Sequence, residues 1–212
     1  MIKTHTIHHS IYKSATKSFL LILGAVLLFS SPCNKAYSDT KHTIVKWPLS
    51  SKLRQSTVLN IVHGTDGMLW LVTLAGVSRF NGVEFIDYDP FTPRSGYIKS
   101  TNIVAILASP EGIVYAATRD SGLLVYDKVS DNFNSLESRL LNSNSLSQIT
   151  AAFSDRSGLV WLGHRNGDIY VYNSRTGDAR KYGEKLSGEV SSFTQTPNDD
   201  IYAVTKNGDI AY

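Results

Sequence analysis

The chain has 212 residues, of which 42% are hydrophobic and 18% charged, enough for one globular domain. Its formal charge of +3 sits at the start: residues 1–38 hold Lys3, Lys13, Lys17 and Lys35 and no acid, leaving 17 basic against 18 acidic residues beyond them. A near-neutral remainder gives no ground for a nucleic-acid partner held through phosphate neutralisation.

Residues 1–38 have the layout of a secretory signal peptide. A basic start ends at Lys17, the apolar run Phe19–Phe29 follows, and Ala36-Tyr37-Ser38 offers small residues for cleavage after Ser38. Eleven apolar residues are short for a membrane span, which needs about 20; the rival reading is an uncleaved signal anchor. Export places the mature chain in the periplasm or another extracytoplasmic space. Cys33, the only cysteine, and the pair His8 and His9 all fall in the segment to be removed, which excludes a disulfide framework and discounts a metal pair. Cys33 fits a lipid anchor poorly, with Ser30 and Pro32 before it.

Residues 39–55 form an N-terminal segment with one strand, Thr43–Trp47, ended by Pro48. Such a strand either completes a last blade or lies on the surface. The stretch 66–88 then sets a pattern. Asp66-Gly67 and Asn81-Gly82 accept positive φ and reverse the chain in a few residues. Leu69–Thr73 and Val77–Phe80, too short for helices and rich in β-branched and aromatic residues, suit strands, and Gly76 turns one into the next.

The pattern returns along the chain. Trp70 is followed by Tyr115, Trp161 and Tyr202 at intervals of 45, 46 and 41 residues, and Thr73 by Thr118, His164 and Thr205 at the same intervals. Gly76 has counterparts in Gly122, Gly167 and Gly208, and Gly67 in Gly112 and Gly158. A four-stranded repeat of about 40–50 residues predicts an all-β propeller, because one such sheet cannot bury both faces alone. The blades are expected at 56–100, 101–146 and 147–188, with a partial fourth at 189–212. In the fourth, Val190–Gln195 and Ile201–Thr205 precede a turn at Asn207-Gly208. Three complete blades and part of another predict a ring that is not closed, and the front part of a longer polypeptide.

The segments Asp66-Gly67-Met68-Leu69-Trp70-Leu71-Val72-Thr73 and Gly76-Val77-Ser78-Arg79-Phe80-Asn81-Gly82 resemble the two-component regulator propeller repeat, whose consensus runs Asp-x-x-Gly-x-Leu-Trp-Ile-Gly-Thr and then Gly-Leu-x-Arg-Phe-Asp-Gly. Arg156–Gly163 is a second good copy; Glu111–Thr118 and Asp200–Thr205 are weaker, with Tyr in place of Trp. The resemblance covers residues 43–212. It implies a periplasmic sensor propeller of a hybrid histidine kinase or diguanylate cyclase, followed in the parent by further blades, a β-sandwich, a transmembrane helix and a cytoplasmic output domain. The membrane would be reached only through that downstream segment, and the ligand would be a small molecule or saccharide.

The residues themselves point to packing more than to chemistry. Trp70 and Trp161 lie mid-strand, where a blade-to-blade contact needs them, whereas sugar stacking would favour a loop. Asp66, Asp155 and Asp200 lie near turns, where Asp bonds backbone amides, and none begins a calcium loop. Ser154–Trp161 is an imperfect Asp-box hairpin, a structural device in sialidase-type propellers. His63 and His164 have no third ligand at readable spacing, and neither a Ser/His/Asp pattern nor a phosphate-cradling glycine loop is present, so no catalytic residue, metal or cofactor is assigned. A non-catalytic ligand-sensing module is the expected function, with a secreted propeller enzyme of lyase or glycosidase type as the alternative.

Overall fold

A computed structural model describes residue 44 and residues 53–91, 96–136 and 148–212. The segment 1–38, with Cys33, His8 and His9, lies outside the described residues, as does the Thr43–Trp47 strand apart from Ile44. The chain divides into two units, Met1–Lys46 and Trp47–Tyr212, and the strands all belong to the second.

Those strands form four antiparallel sheets in sequence order. The first is β1 (Val58–His63), β2 (Leu69–Thr73), β3 (Gly76–Phe80) and β4 (Phe85–Tyr88). The second is β5 (Ile103–Ala108), β6 (Val114–Thr118), β7 (Leu123–Asp127) and β8 (Asn132–Ser135). The third is β9 (Ile149–Ser154), β10 (Leu159–His164), β11 (Ile169–Asn173) and β12 (Asp178–Lys181). The fourth holds β13 (Val190–Gln195), β14 (Ile201–Thr205) and the two-residue β15 (Ile210–Ala211). Each strand pairs with the next in sequence, which makes every sheet a meander, and contacts between sheets run mainly through β1, β5, β9 and β13. The first strands are therefore innermost and the sheets are blades. The array is a four-bladed propeller, and among the described residues no hydrogen-bonded strand pair joins its fourth blade to its first.

Burial follows from this stacking. β6 is buried at every position and β2 and β10 at all but their first; β6 and β10 lie in sheets packed between two neighbours and so lose the alternation of a half-exposed strand. Three apolar clusters fill the interfaces between successive blades, built respectively around Trp70, around Tyr115 and Leu162, and around Trp161 and Val190. The two outer flanks are less covered: Val58, Leu59 and Ile61 of β1 stand exposed, and so do Ile210 and Tyr212 beyond β14.

Two devices recur in all four blades. The turn between first and second strands closes with paired backbone bonds: Gly64 N–H to Met68 O and Gly67 N–H to Gly64 O, then the same pattern at Ser109/Gly112/Ile113, Asp155/Gly158/Leu159 and Thr196/Asp199/Asp200. The third residue of each turn has positive φ: Gly67 at 82°, Gly112 at 82°, Gly158 at 87° and Asp199 at 68°. This is a three-residue hairpin loop with a left-handed residue before the bulge. The second device is a register shift near the start of each first strand, which sets Leu59, Val104, Thr150 and Ser191 outside the ladder.

Candidate ligand-binding face

The residues singled out by the repeat fall at matching ladder positions. Trp70 pairs with Val62, Tyr115 with Leu107, Trp161 with Phe153 and Tyr202 with Thr194. Thr73, Thr118 and Thr205 end their strands, each accepting a backbone N–H on its Oγ1 from Ala75, Ser121 and Asp209 respectively. His164 takes that place in the third blade, buried with its ring 4.9 Å from that of Tyr170. Gly167 and Gly208 follow at equivalent loop positions with φ near 90°, whereas Gly122 sits one place later in a loop of the same length, where Asp168 and Asp209 stand in the third and fourth blades.

The three acids Asp66, Asp155 and Asp200 are not equivalent to one another. The turn position of Asp155 is held by Gly64, Ser109 and Thr196 in the other blades. Asp155 is buried, and its Oδ1 accepts the Ser157 and Leu159 N–H groups while its Oδ2 accepts Trp161 Nε1–H at 2.8 Å. In the first blade Gly64 offers no such acceptor, and the buried Trp70 Nε1 has no hydrogen-bond partner among the described residues. Asp66 caps only the Met68 N–H. Trp70 is held instead by rings, with Tyr126 at 4.7 Å, Tyr88 at 5.6 Å and Phe133 at 5.7 Å, and by the Arg79 guanidinium 5.5 Å from its face. Asp131 closes this group, 3.1 Å from Arg79 and accepting both the Tyr88 and Tyr126 hydroxyls at 2.6 Å. Burial, then the bond to Asp131, raises the pKa of both phenols. These residues serve the interface between the first two blades.

The polar residues that do converge lie at the other end of the blades, where each second strand ends beside the start of its own first strand. Arg119 N–H donates to Asn102 O, Arg165 N–H to Gln148 O and Lys206 N–H to Glu189 O. Asn102, Gln148 and Glu189 each immediately precede an innermost strand. Gln148 N–H also donates to Arg119 O, so a backbone relay runs across the second and third blades at this level. Three successive blades thus carry a cation, Arg119, Arg165 and Lys206, at one repeat position, while the first blade carries the exposed Leu74.

Glu189 lies among these cations. Its Oε1 is 2.8 Å from Lys206 Nζ and 4.0 Å from Arg119, so cations of the second and fourth blades reach the same oxygen. The bond from Lys206, with the charges of Lys206, Arg165 and Arg119, holds its carboxyl below the usual range. The acids on the surrounding loops have other partners: Asp120 accepts Ser100 Oγ–H, Asp168 pairs with Lys181, and Asp209 accepts Ser187 Oγ–H. Among the described residues, no group of three or more His, Cys, Asp or Glu is placed to hold a metal ion.

A cavity of about 620 Å³ opens between the third and fourth blades, lined by Asp155, Trp161, Tyr182, Phe193, Asp200 and Tyr212 among others. It stands against Trp161 as Tyr126 and Phe133 stand against Trp70 in the first interface. It is a packing position between blades.

No protein-family model and no curated protein matches the chain. Solved structures do. The extracellular domain of the hybrid two-component system BT4673 from B. thetaiotaomicron aligns with a TM-score of 0.62 at 17% identity, over 80% of this chain and 25% of that one. The chain shares the propeller fold of this extracellular domain. Virginiamycin B lyase from Staphylococcus aureus aligns with a TM-score of 0.54 at 15% identity, over 82% of this chain and 60% of the lyase. The computationally designed Ika4 protein aligns at 0.53 and 18%, over 74% of this chain and 90% of Ika4. The chain spans about a quarter of the length of the BT4673 domain it matches.

Proposed function

We propose that the chain is a non-catalytic, extracytoplasmic ligand-sensing module, the leading blades of a larger propeller in a two-component or cyclic-di-GMP signalling protein. The observation that carries this reading is the loop face on which Arg119, Arg165 and Lys206 from successive blades gather beside the innermost strands. A face assembled from several blades lets one ligand touch several rigid sheets at once. Further blades of the parent would cover the exposed apolar residues of β1 and fill the cavity against Trp161, and the output domain would read their movement. The signal peptide over residues 1–38 would bring this face to the periplasm, where a small molecule or saccharide could reach it.

Titration of the full chain with a panel of saccharides and small organic acids tests the reading: saturable binding without chemical change of the ligand is expected. The lyase-like neighbour makes the second reading concrete, and ring opening or elimination in any bound compound would transfer the protein to that class. A fusion of residues 1–60 to a reporter active only outside the cytoplasm should be exported; a silent reporter would remove the extracytoplasmic assignment.

A further inference from the structure

We infer that the loop face takes an anionic ligand, one bearing carboxylates, and that Glu189 stands in for the ligand's carboxylate in the free protein. The inference rests on the binding face proposed above and adds the ligand's charge. Two of the three cations at one repeat position, Arg119 and Lys206, flank a single carboxylate and Arg165 adds its charge from the blade between them, so these four groups carry more positive than negative charge. Lys206 bonds one oxygen of Glu189 at 2.8 Å, the contact it would make with an incoming carboxylate, and Arg119 stands 4.0 Å from the same oxygen, near enough to attract it without a hydrogen bond. Arg165, exposed in the blade between them, bears on the same carboxyl through its charge.

The arrangement is also built with some rigidity. Arg119 and Arg165 are fixed at their backbones by the relay through Asn102 and Gln148, so their side chains start from defined points beside the innermost strands. Arg119 and Glu189 are partly buried, and Arg165 and Lys206 are exposed, so a ligand could bind from solvent against a partly shielded pair. The neighbouring carboxylates Asp120, Asp168 and Asp209 are engaged by Ser100, Lys181 and Ser187. Asp168 is ion-paired with Lys181, whereas Asp120 and Asp209 keep their negative charge on exposed loop positions and form no ion pair with the three cations among the described residues.

The test is calorimetric titration of the full chain with trigalacturonate, with a neutral galactose trisaccharide and with citrate. Trigalacturonate should bind; Arg119→Ala and Arg165→Ala should each weaken it by about three- to tenfold, and Glu189→Gln should tighten it by a similar factor by removing the internal competitor. Arg165→Lys should retain most of the affinity. Citrate binding as well as trigalacturonate, with the same response to the variants, supports the site and assigns it to free polycarboxylates; trigalacturonate alone assigns it to acidic saccharides. If the neutral trisaccharide binds and no variant alters it, the anion inference falls while the sensing role stands. If neither anion binds the wild type or Glu189→Gln, or if Glu189→Gln lowers the melting temperature without tightening binding, the cluster is a structural ion network and the inference is overturned.

Discussion

The buried carboxylate of Asp155 ties a hairpin to a core indole, and the first blade lacks that tie, which makes the pair a natural experiment. Asp155 receives the Ser157 and Leu159 backbone N–H groups, the Ser157 hydroxyl and the Trp161 indole N–H. In Asp155→Ala the turn amides can partly rehydrate, but the Trp161 N–H is buried and left without an acceptor. An orphaned buried donor costs about 1–3 kcal/mol and each bond to an ionised acceptor is worth about as much, so a net loss of about 3 kcal/mol is expected. The converse transplant is Gly64→Asp with Asp66→Ser, which copies the Asp155–Ser157 pair into the first blade. A Cβ at Gly64 would lie 3.3 Å from Trp70 Nε1 and 2.5 Å from Asp66 Oδ1. Gly64→Asp alone therefore sets two carboxylates against each other, whereas the double variant removes the second and should gain about 1 kcal/mol. Urea unfolding followed by tryptophan fluorescence reads both. A loss below about 1 kcal/mol for Asp155→Ala, or no positive coupling in the Gly64/Asp66 cycle, would refute the reasoning.

Other perturbations separate backbone from packing. Gly67→Ala puts a methyl into open space at φ +82° and should lose only the left-handed penalty of about 1–2 kcal/mol, whereas at Gly167 the new Cβ would lie 2.2 Å from the Leu186 carbonyl oxygen, so Gly167→Ala should lose clearly more in the same urea assay. Thr150→Val removes the hydroxyl that donates to Val190 O at 2.7 Å across the third interface, and should lower stability by about 1 kcal/mol by thermal melting. Burial pushes the Tyr115 phenol up to about 12. The folded state therefore favours the neutral phenol, so this contribution is fully present below the ordinary phenol value near 10 and is lost as pH rises toward 12. Melting temperatures should fall across that window, and Tyr115→Phe should lessen the fall.

The all-β repeat was legible because its punctuation is chemical. Gly67, Gly112 and Gly158 occupy left-handed positions that other residues avoid, so they recur in the letters of the sequence as they do in the backbone. Where the backbone keeps the conformation with another residue, the signal fails. Asp199 holds φ at 68° in the fourth blade, and the neighbouring Asp200 drew attention as a turn acid while bonding Tyr212 and Thr196 side chains. Of the displaced residues, Leu59 and Val104 are aliphatic while Thr150 and Ser191 are hydroxylic and donate to the equivalent carbonyls of Gly163 and Val204, so no single residue type marks the bulge that recurs there.

The loop face was hidden for a different reason. Arg119, Arg165 and Lys206 each follow the strand-ending residue that set the repeat, at the same 46- and 41-residue intervals as Thr118, His164 and Thr205. The spacing was available, but surface cations on turns usually are only solvated, and the near-neutral balance of residues 39–212 gave no reason to suspect a local excess. What distinguishes Arg119 and Lys206 is their shared relation to Glu189, a residue that precedes the fourth blade and is remote from Arg119 in the chain. Antiparallel meanders bring the end of each second strand beside the start of its first, and stacking brings successive blades into reach of one another. Charge convergence is thus a property of the array, visible only once the blades are placed around a common line. A propeller can vary it without touching the Trp and Gly positions that hold the sheets together.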